Sequence, residues 1–368
     1  MGESERIRAE HGIVVARPRE RFGYFAWPSV ARMDDGTLVA ACSGYRSFHV
    51  DAWGKTLLCV SSDEGATWSE PRIINDTPLD DRDAGVVSLG GDRLLVAWFT
   101  SDTRPYLDGC RRQHGEEEFS QWRAMLRLWT DETVSAWLGS WVRLSDDGGA
   151  SWSDAIRVPV STPHGPVVLA NGELLYFGKQ RETSGPNDRG RPIAAARSTD
   201  GGRTWTVTGT VPPCEGAHND NLYEPHAVEL PSGKLVGLIR YQHQGEHRAF
   251  TPFSLFQTES DDGGATWSEA RPLDVPGSPP HVIRHSSGAL VCVYGYRLEP
   301  YGQRVMISRD EGRTWQSDLI LRDDGPDSDL GYPASVELTD GSLFTVYYQK
   351  CATGEKCSIL WSRWRLPD

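Results

Sequence analysis

Trp27, Arg82, Asp83, His164, Glu224, His226, His281 and Tyr332 share one setting. Each stands at the opening of a run that reads strand, tight Gly turn, strand. Aligned on the turn glycine, six such runs bring together Trp27-Pro28, Arg82-Asp83, Pro163-His164, Glu224-Pro225-His226, Pro280-His281 and Tyr332-Pro333. The ends of the second strands add Arg240, Tyr296 and Arg297. A hydrophobic core has no use for this polarity. His titrates near neutral pH and can serve as general acid or base, and Arg holds carboxylates through a fixed fork of donors. A Tyr or His beside Arg could also abstract the C5 proton of a uronate whose carboxylate the Arg neutralises. Converging residues of these types are the pattern of a functional site.

What must position them is a repeat. The six runs are WPSVARMDDGTLVAA, RDAGVVSLGGDRLLVAW, PHGPVVLANGELLYFG, EPHAVELPSGKLVGLIR, PPHVIRHSSGALVCVYGYR and YPASVELTDGSLFTVYY. Asp-Gly and Asn-Gly between alternating apolar runs are strong hairpin signals. A second motif alternates with the first. Five segments follow Ser-x-Asp-x-Gly-x-Ser/Thr-Trp: Ser61–Trp68, Ser145–Trp152, Ser198–Trp205, Ser260–Trp267 and Ser308–Trp315. In each, the Asp can accept backbone N–H bonds, the Gly supplies a positive φ, and the Trp offers an apolar plate to bury. Six units of four strands predict an all-β fold, a six-bladed β-propeller of antiparallel blades, over residues 1–368 as a single domain. The sixth unit lacks the Trp turn; CSILWSRWRL supplies its third strand and GIVVAR closes the ring as the fourth. In such a blade the first strand begins and the second ends on one face, opposite the turns. The chemically capable residues therefore crowd one mouth.

Composition limits the partners. Lys plus Arg total 38 against 51 for Asp plus Glu, a formal net charge of −13. Binding to duplex nucleic acid needs basic surface and is not expected. The longest apolar stretches, such as Leu94–Trp98, are too short to span a membrane. Seven unpaired Cys and a polar N-terminus without a signal-peptide core fit a reducing, cytoplasmic setting. The 38 Gly and 14 Trp suit a turn-rich β fold with large aromatic anchors.

The Trp turn is an Asp box, and with the six-fold pattern the chain resembles the sialidase (BNR-repeat) superfamily from about Ile13 to Trp364. That resemblance implies a retaining, exo-acting glycoside hydrolase acting on a terminal, acidic sugar. It casts Tyr332, in DLGYPASVEL, as the nucleophile and Glu224, in LYEPHAVEL, as the base that activates it. Asp51, in YRSFHVDAWGK, takes the place of the family's acid/base. Arg240 is similar to the second arginine of a carboxylate-binding triad, and Arg304 or Arg297 to the third. The first arginine is missing: the family's Phe-Arg-Ile-Pro is here Phe25-Ala26-Trp27-Pro28. Losing one arm of such a clamp is not conservative. Trp27 could instead stack on a sugar ring, and Arg46 could replace the cation. His164, His226, His281 and Asp83 complete the expected substrate-binding set.

Two other functions fit the same residues. One is a polysaccharide lyase acting on uronate-containing glycans through a Tyr or His base; the other is a non-catalytic carbohydrate-binding propeller, for which Ala26 speaks. No cofactor and no metal is expected, since the i,i+4 pair His243 and His247 falls in a loop-like stretch. Residues 103–140 break the rhythm: successive boxes are 84 residues apart there, against 48 to 62 elsewhere. Trp122, Met125, Leu126 and Trp129 fall at helical spacing. An insertion in blade two, on the mouth side, predicts a lid or a contact in a homo-oligomer.

Overall fold

A computed structural model describes residues 5–181, 190–243 and 249–367. Its strands form six separate antiparallel sheets. Blade one runs Tyr24–Arg32, Leu38–Arg46, Lys55–Ser61, Arg72–Asn75, and blade two Asp80–Ser88, Leu94–Ser101, Gly139–Ser145, Ile156–Val158. Blade three carries a broken first strand, Val160–Ser161 and Val167–Val168, then Leu174–Gln180, Ile193–Ser198 and Thr206–Thr210. Blade four is Leu222–Glu229, Leu235–Tyr241, Ser254–Ser260, Arg271–Pro276. Blade five is Pro280–Arg284, Leu290–Tyr296, Gly302–Ser308, Gln316–Arg322. In blade six, Gly331–Glu337, Leu343–Lys350 and Cys357–Trp364 are completed by Ala9–Val15 from the other end of the chain. This is the expected ring closure: the N-terminal strand pairs antiparallel with the last one, Gly12 opposite Trp361.

First strands of neighbouring blades pack on one another around the axis. Where blades two and three meet, a Cβ on Gly85 would lie 2.4 Å from the Gly165 nitrogen, so only glycine allows that approach. The core is divided among the gaps between blades, each filled by alternating Leu, Val, Ile and Ala from facing sheets.

The five Asp boxes share one hydrogen-bond scheme. In the first, Ser61 Oγ donates to Asp63 at 2.8 Å, the Gly65 amide donates back to Ser61 Oγ, and the Thr67 amide donates to Asp63 at 2.9 Å. The bonds from Thr67 and Ser61 hold Asp63 down at a pKa of about 2. Trp267 is the best-buried of the box tryptophans, 7% exposed and stacked on Phe177 at 4.4 Å across the blade boundary. The other four are only partly covered. These turns are staples.

The inserted segment sits between the second and third strands of blade two, as expected. It forms helix α1, Leu107–Leu126, kinked at Gly115, and helix α2, Asp131–Trp137. Cys110, Trp122, Leu126, Trp129, Val134 and Leu138 bury together against Ala52 and Leu79. The helices are thus pinned onto the loop between the second and third strands of blade one, which holds Ala52, and onto Leu79 in the connection to blade two. Among the described residues no helix is long and apolar enough to cross a membrane.

Candidate active site

Four blades use the same backbone device at the mouth. Trp27, Asp83, Glu224 and Tyr332 have φ of 52°, 47°, 43° and 51°, the left-handed region that side-chain-bearing residues avoid. Each coincides with a break in pairing between first and second strands, between Ala26 and Ser29, Arg82 and Gly85, Tyr223 and His226, and Gly331 and Ala334. A β-bulge re-aims a side chain that regular alternation would send elsewhere. Such strain costs on the order of 1–3 kcal/mol per residue and persists where surrounding structure enforces it.

Three of the expected residues meet directly. The Tyr332 hydroxyl donates to Glu224 Oε1 at 2.6 Å, and Arg240 Nη1 donates to Glu224 Oε2 at 2.5 Å and to the Tyr332 oxygen at 3.2 Å. Tyr332 is 5% exposed and Arg240 6%. Burial, then the charge of Glu224, raises the Tyr332 pKa well above that of a free phenol, while Arg240 and Arg297 work against the rise. The phenol is therefore neutral at rest, and its proton already points at a carboxylate. The Nε of Arg240 is buried without a partner.

The structure separates the two candidates for the third arginine. Arg297 lies 5.7 Å from the Tyr332 ring and donates to Tyr348 at 3.3 Å. Arg304 is 2% exposed and spends its donors on the carbonyls of Arg322 and Pro300, with Asp318 and the Tyr296 ring beside it. Arg297 joins the cluster; Arg304 faces its own blade.

Four other sets of expected residues are enclosed. Asp51 is 0% exposed, and its two oxygens accept from the amides of Ser47, Phe48, Ala52 and Trp53. It organises its own loop, and burial lifts its pKa to about 6. Trp27 is also 0% exposed, so no face is open to a sugar; Arg82 lies over its ring at 4.3 Å and Arg46 at 4.9 Å. Arg46 is no free cation, because a two-pronged pair with Asp80, at 2.5 and 2.9 Å, and nearby carbonyls consume it. His164, His226 and His281 stand deeper than Glu224, where they line an axial cavity of about 440 Å3 together with Val30, Val86 and Val228. Their ring centres are 4.2 to 5.8 Å apart, and burial lowers all three pKa values.

Asp83 does reach the mouth. It is 5% exposed, with Oδ1 unpartnered, and it interacts electrostatically with both Glu224 and Tyr332. The aligned runs put Arg82 at the mouth without giving it a role, and pass over His49 and Asp329. Arg82, beside Asp83 in the alignment of runs, lays its guanidinium over the Trp27 ring, with Nε unpartnered. His49 and Asp329 pair at 3.0 Å, and Tyr24 donates to Asp329 at 3.0 Å. His49 packs 4.9 Å from Trp27 and borders a cavity of about 650 Å3 beneath α1. The closeness of His49 to Asp51, and of Asp329 to Tyr332, was the available signal. His247 lies outside the described residues; among those described, no three His, Cys, Asp or Glu gather as metal ligands.

Six four-stranded blades, Asp boxes and a buried Tyr–Glu–Arg cluster at the mouth define a sialidase-like propeller. The model of the BNR repeat-like domain matches residues 111–345, and the chain belongs to that family. It is 22% identical to a sialidase of Clostridium perfringens over 275 residues, 68% of this chain and 62% of that protein's length. A crystal structure of a protein of unknown function from Dyadobacter fermentans superposes with a TM-score of 0.76 at 23% identity, covering 98% and 99% of the two chains. Trypanosoma rangeli sialidase in complex with 2,3-difluorosialic acid, a covalent intermediate, gives 0.65 at 17% identity, covering 98% of this chain and 59% of that one. The leech intramolecular trans-sialidase gives 0.64 at 16%, covering 99% and 70%. At these identities the structural likeness is one of fold.

Proposed function

We propose that the protein is an exo-acting glycoside hydrolase that removes a terminal acidic sugar with retention of configuration. The carrying observation is the bond from the Tyr332 hydroxyl to Glu224, bridged by Arg240. Attack by Tyr332 oxygen on the anomeric carbon passes the phenolic proton to Glu224 in the same step, so no free phenolate forms inside a buried site. A neutral nucleophile also approaches an anionic sugar without charge repulsion. Arg240, Arg297 and Arg82 are the cations available to a sugar carboxylate, and the sialidase relative supports an acidic substrate. Arg82 takes up the duty that Ala26 cannot perform.

A screen of aryl glycosides and glycan oligomers, followed by NMR of the first-formed anomer, tests this reading. Release of the retained anomer is the expected result; release of the inverted one would refute a covalent Tyr332 intermediate. The lyase alternative predicts instead an unsaturated, ultraviolet-absorbing product. It is disfavoured by the depth of His164, His226 and His281 in the axial cavity, which leaves Tyr332 as its base. A binding-only propeller predicts saturable glycan binding with no product at all.

A further inference from the structure

We infer that Asp83, on blade two, is the group that protonates the departing glycosidic oxygen and later deprotonates the incoming water. The inference rests on the hydrolase reading above and gives the acid/base role to Asp83 in place of Asp51, whose oxygens are held by four amides of its own loop. Three observations carry it. Asp83 shares with Glu224 and Tyr332 the bulged, positive-φ backbone that turns a first-strand side chain toward the mouth. It is 5% exposed, and Oδ1 has no hydrogen-bond partner, although an unpaired buried carboxyl is costly and is rarely kept without a use. It lies within electrostatic reach of both members of the nucleophile pair.

The charge state agrees with the role. Burial is the leading influence and Glu224 adds to it; Arg82, Arg46 and Arg181 oppose, and the pKa settles at about 7. Tyr332, the remaining neighbour, is neutral. Asp83 thus keeps its proton in slightly acidic solution and shares it evenly with solvent near pH of about 7, so it can give a proton up and take one back, as an acid/base must.

The step balances. As the bond from the anomeric carbon to the leaving oxygen breaks, its electron pair stays on that oxygen, which takes the Asp83 proton. Tyr332 oxygen bonds to the anomeric carbon and its proton passes to Glu224. In the second half, water attacks the same carbon and gives a proton to the Asp83 carboxylate. The bond to Tyr332 breaks, and Glu224 returns the proton to the phenol. Sugar and alcohol are the only products.

A leaving group that departs unprotonated does not need the acid. Asp83→Asn should therefore keep kcat/KM, which reads the bond-breaking half alone, within about tenfold of wild type on 4-nitrophenyl glycosides while losing about 10² to 10⁴ in kcat/KM on the matching methyl glycosides. Equal losses on both, or none, in an active protein overturn the role of Asp83 and leave the hydrolase reading standing. Absence of turnover on every glycoside overturns both. Should Asp83→Asn fail to fold, the wild-type pH profile decides. The fall in kcat/KM above pH of about 7 should appear with methyl glycosides and be absent with nitrophenyl ones. The same fall with both removes Asp83 from the chemistry.

Discussion

Tyr332 and Glu224, 108 residues apart in the chain, are joined by a 2.6 Å hydrogen bond from phenol to carboxylate. If that bond is the path of the proton, the two residues act as one unit. Tyr332→Phe and Glu224→Gln should each reduce kcat by about 10³ or more, and the double variant should be hardly worse than either single one. Multiplicative losses in the double variant would mean that the residues act independently. Circular dichroism should show an intact propeller in all three.

Arg240 serves both partners from Nη1 and donates to Gln242 from Nη2 at 2.7 Å, a planar fork that Lys cannot reproduce. Arg240→Lys retains the charge but must give up at least one of these bonds. With charge-assisted bonds worth about 1.5–3 kcal/mol, a loss of 10- to 100-fold in kcat/KM is expected. If Arg240 also holds the sugar carboxylate, KM for acidic glycosides should rise while KM for neutral analogues stays put.

His226 makes a prediction about stability and pH. Burial lowers its pKa to about 4, partly offset by its bond to Val282. The unfolded chain takes up the proton near pH 6.5, before the folded one does. The contribution of His226 is therefore present above pH of about 6.5 and is lost as pH falls toward 4. Against His226→Gln, which does not titrate, wild type should lose on the order of 3 kcal/mol of relative stability between pH 7 and pH 4. Urea unfolding at several pH values measures it; a flat difference would refute a neutral, buried imidazole.

Two tryptophans separate scaffold from site. Trp267 stacks on Phe177 between blades three and four, and Trp122, 1% exposed, anchors α1 on the blade-one loop. Replacing either by Ala should cost about 3–5 kcal/mol in urea unfolding. Only Trp122→Ala should also alter KM, because the loop it supports carries His49 beside the mouth. Unchanged KM in that variant would reduce the insertion to a packed rim.

Local residue types determined the scaffold. A Ser-x-Asp-x-Gly-x-Ser/Thr-Trp turn closes its hydrogen bonds within eight residues, so five copies could be read directly, as could the strand alternation and the glycine turns that count six blades. The same repeat aligned Glu224, Tyr332 and Asp83, because equivalent positions of successive blades must converge on one axis. Depth along that axis was hidden. It depends on bulges set by contacts between blades, and two residues of strand separate the Glu224 level from that of His226. Partner choice was hidden too. Asp51 turned to four amides of its own loop and Arg46 to Asp80, while Arg82 and Arg297 came to the cluster from other blades. Sequence settled which side chains could face the mouth; only tertiary packing decided which were left unpaired there, since pairing is a competition among neighbours that the chain brings together across six sheets.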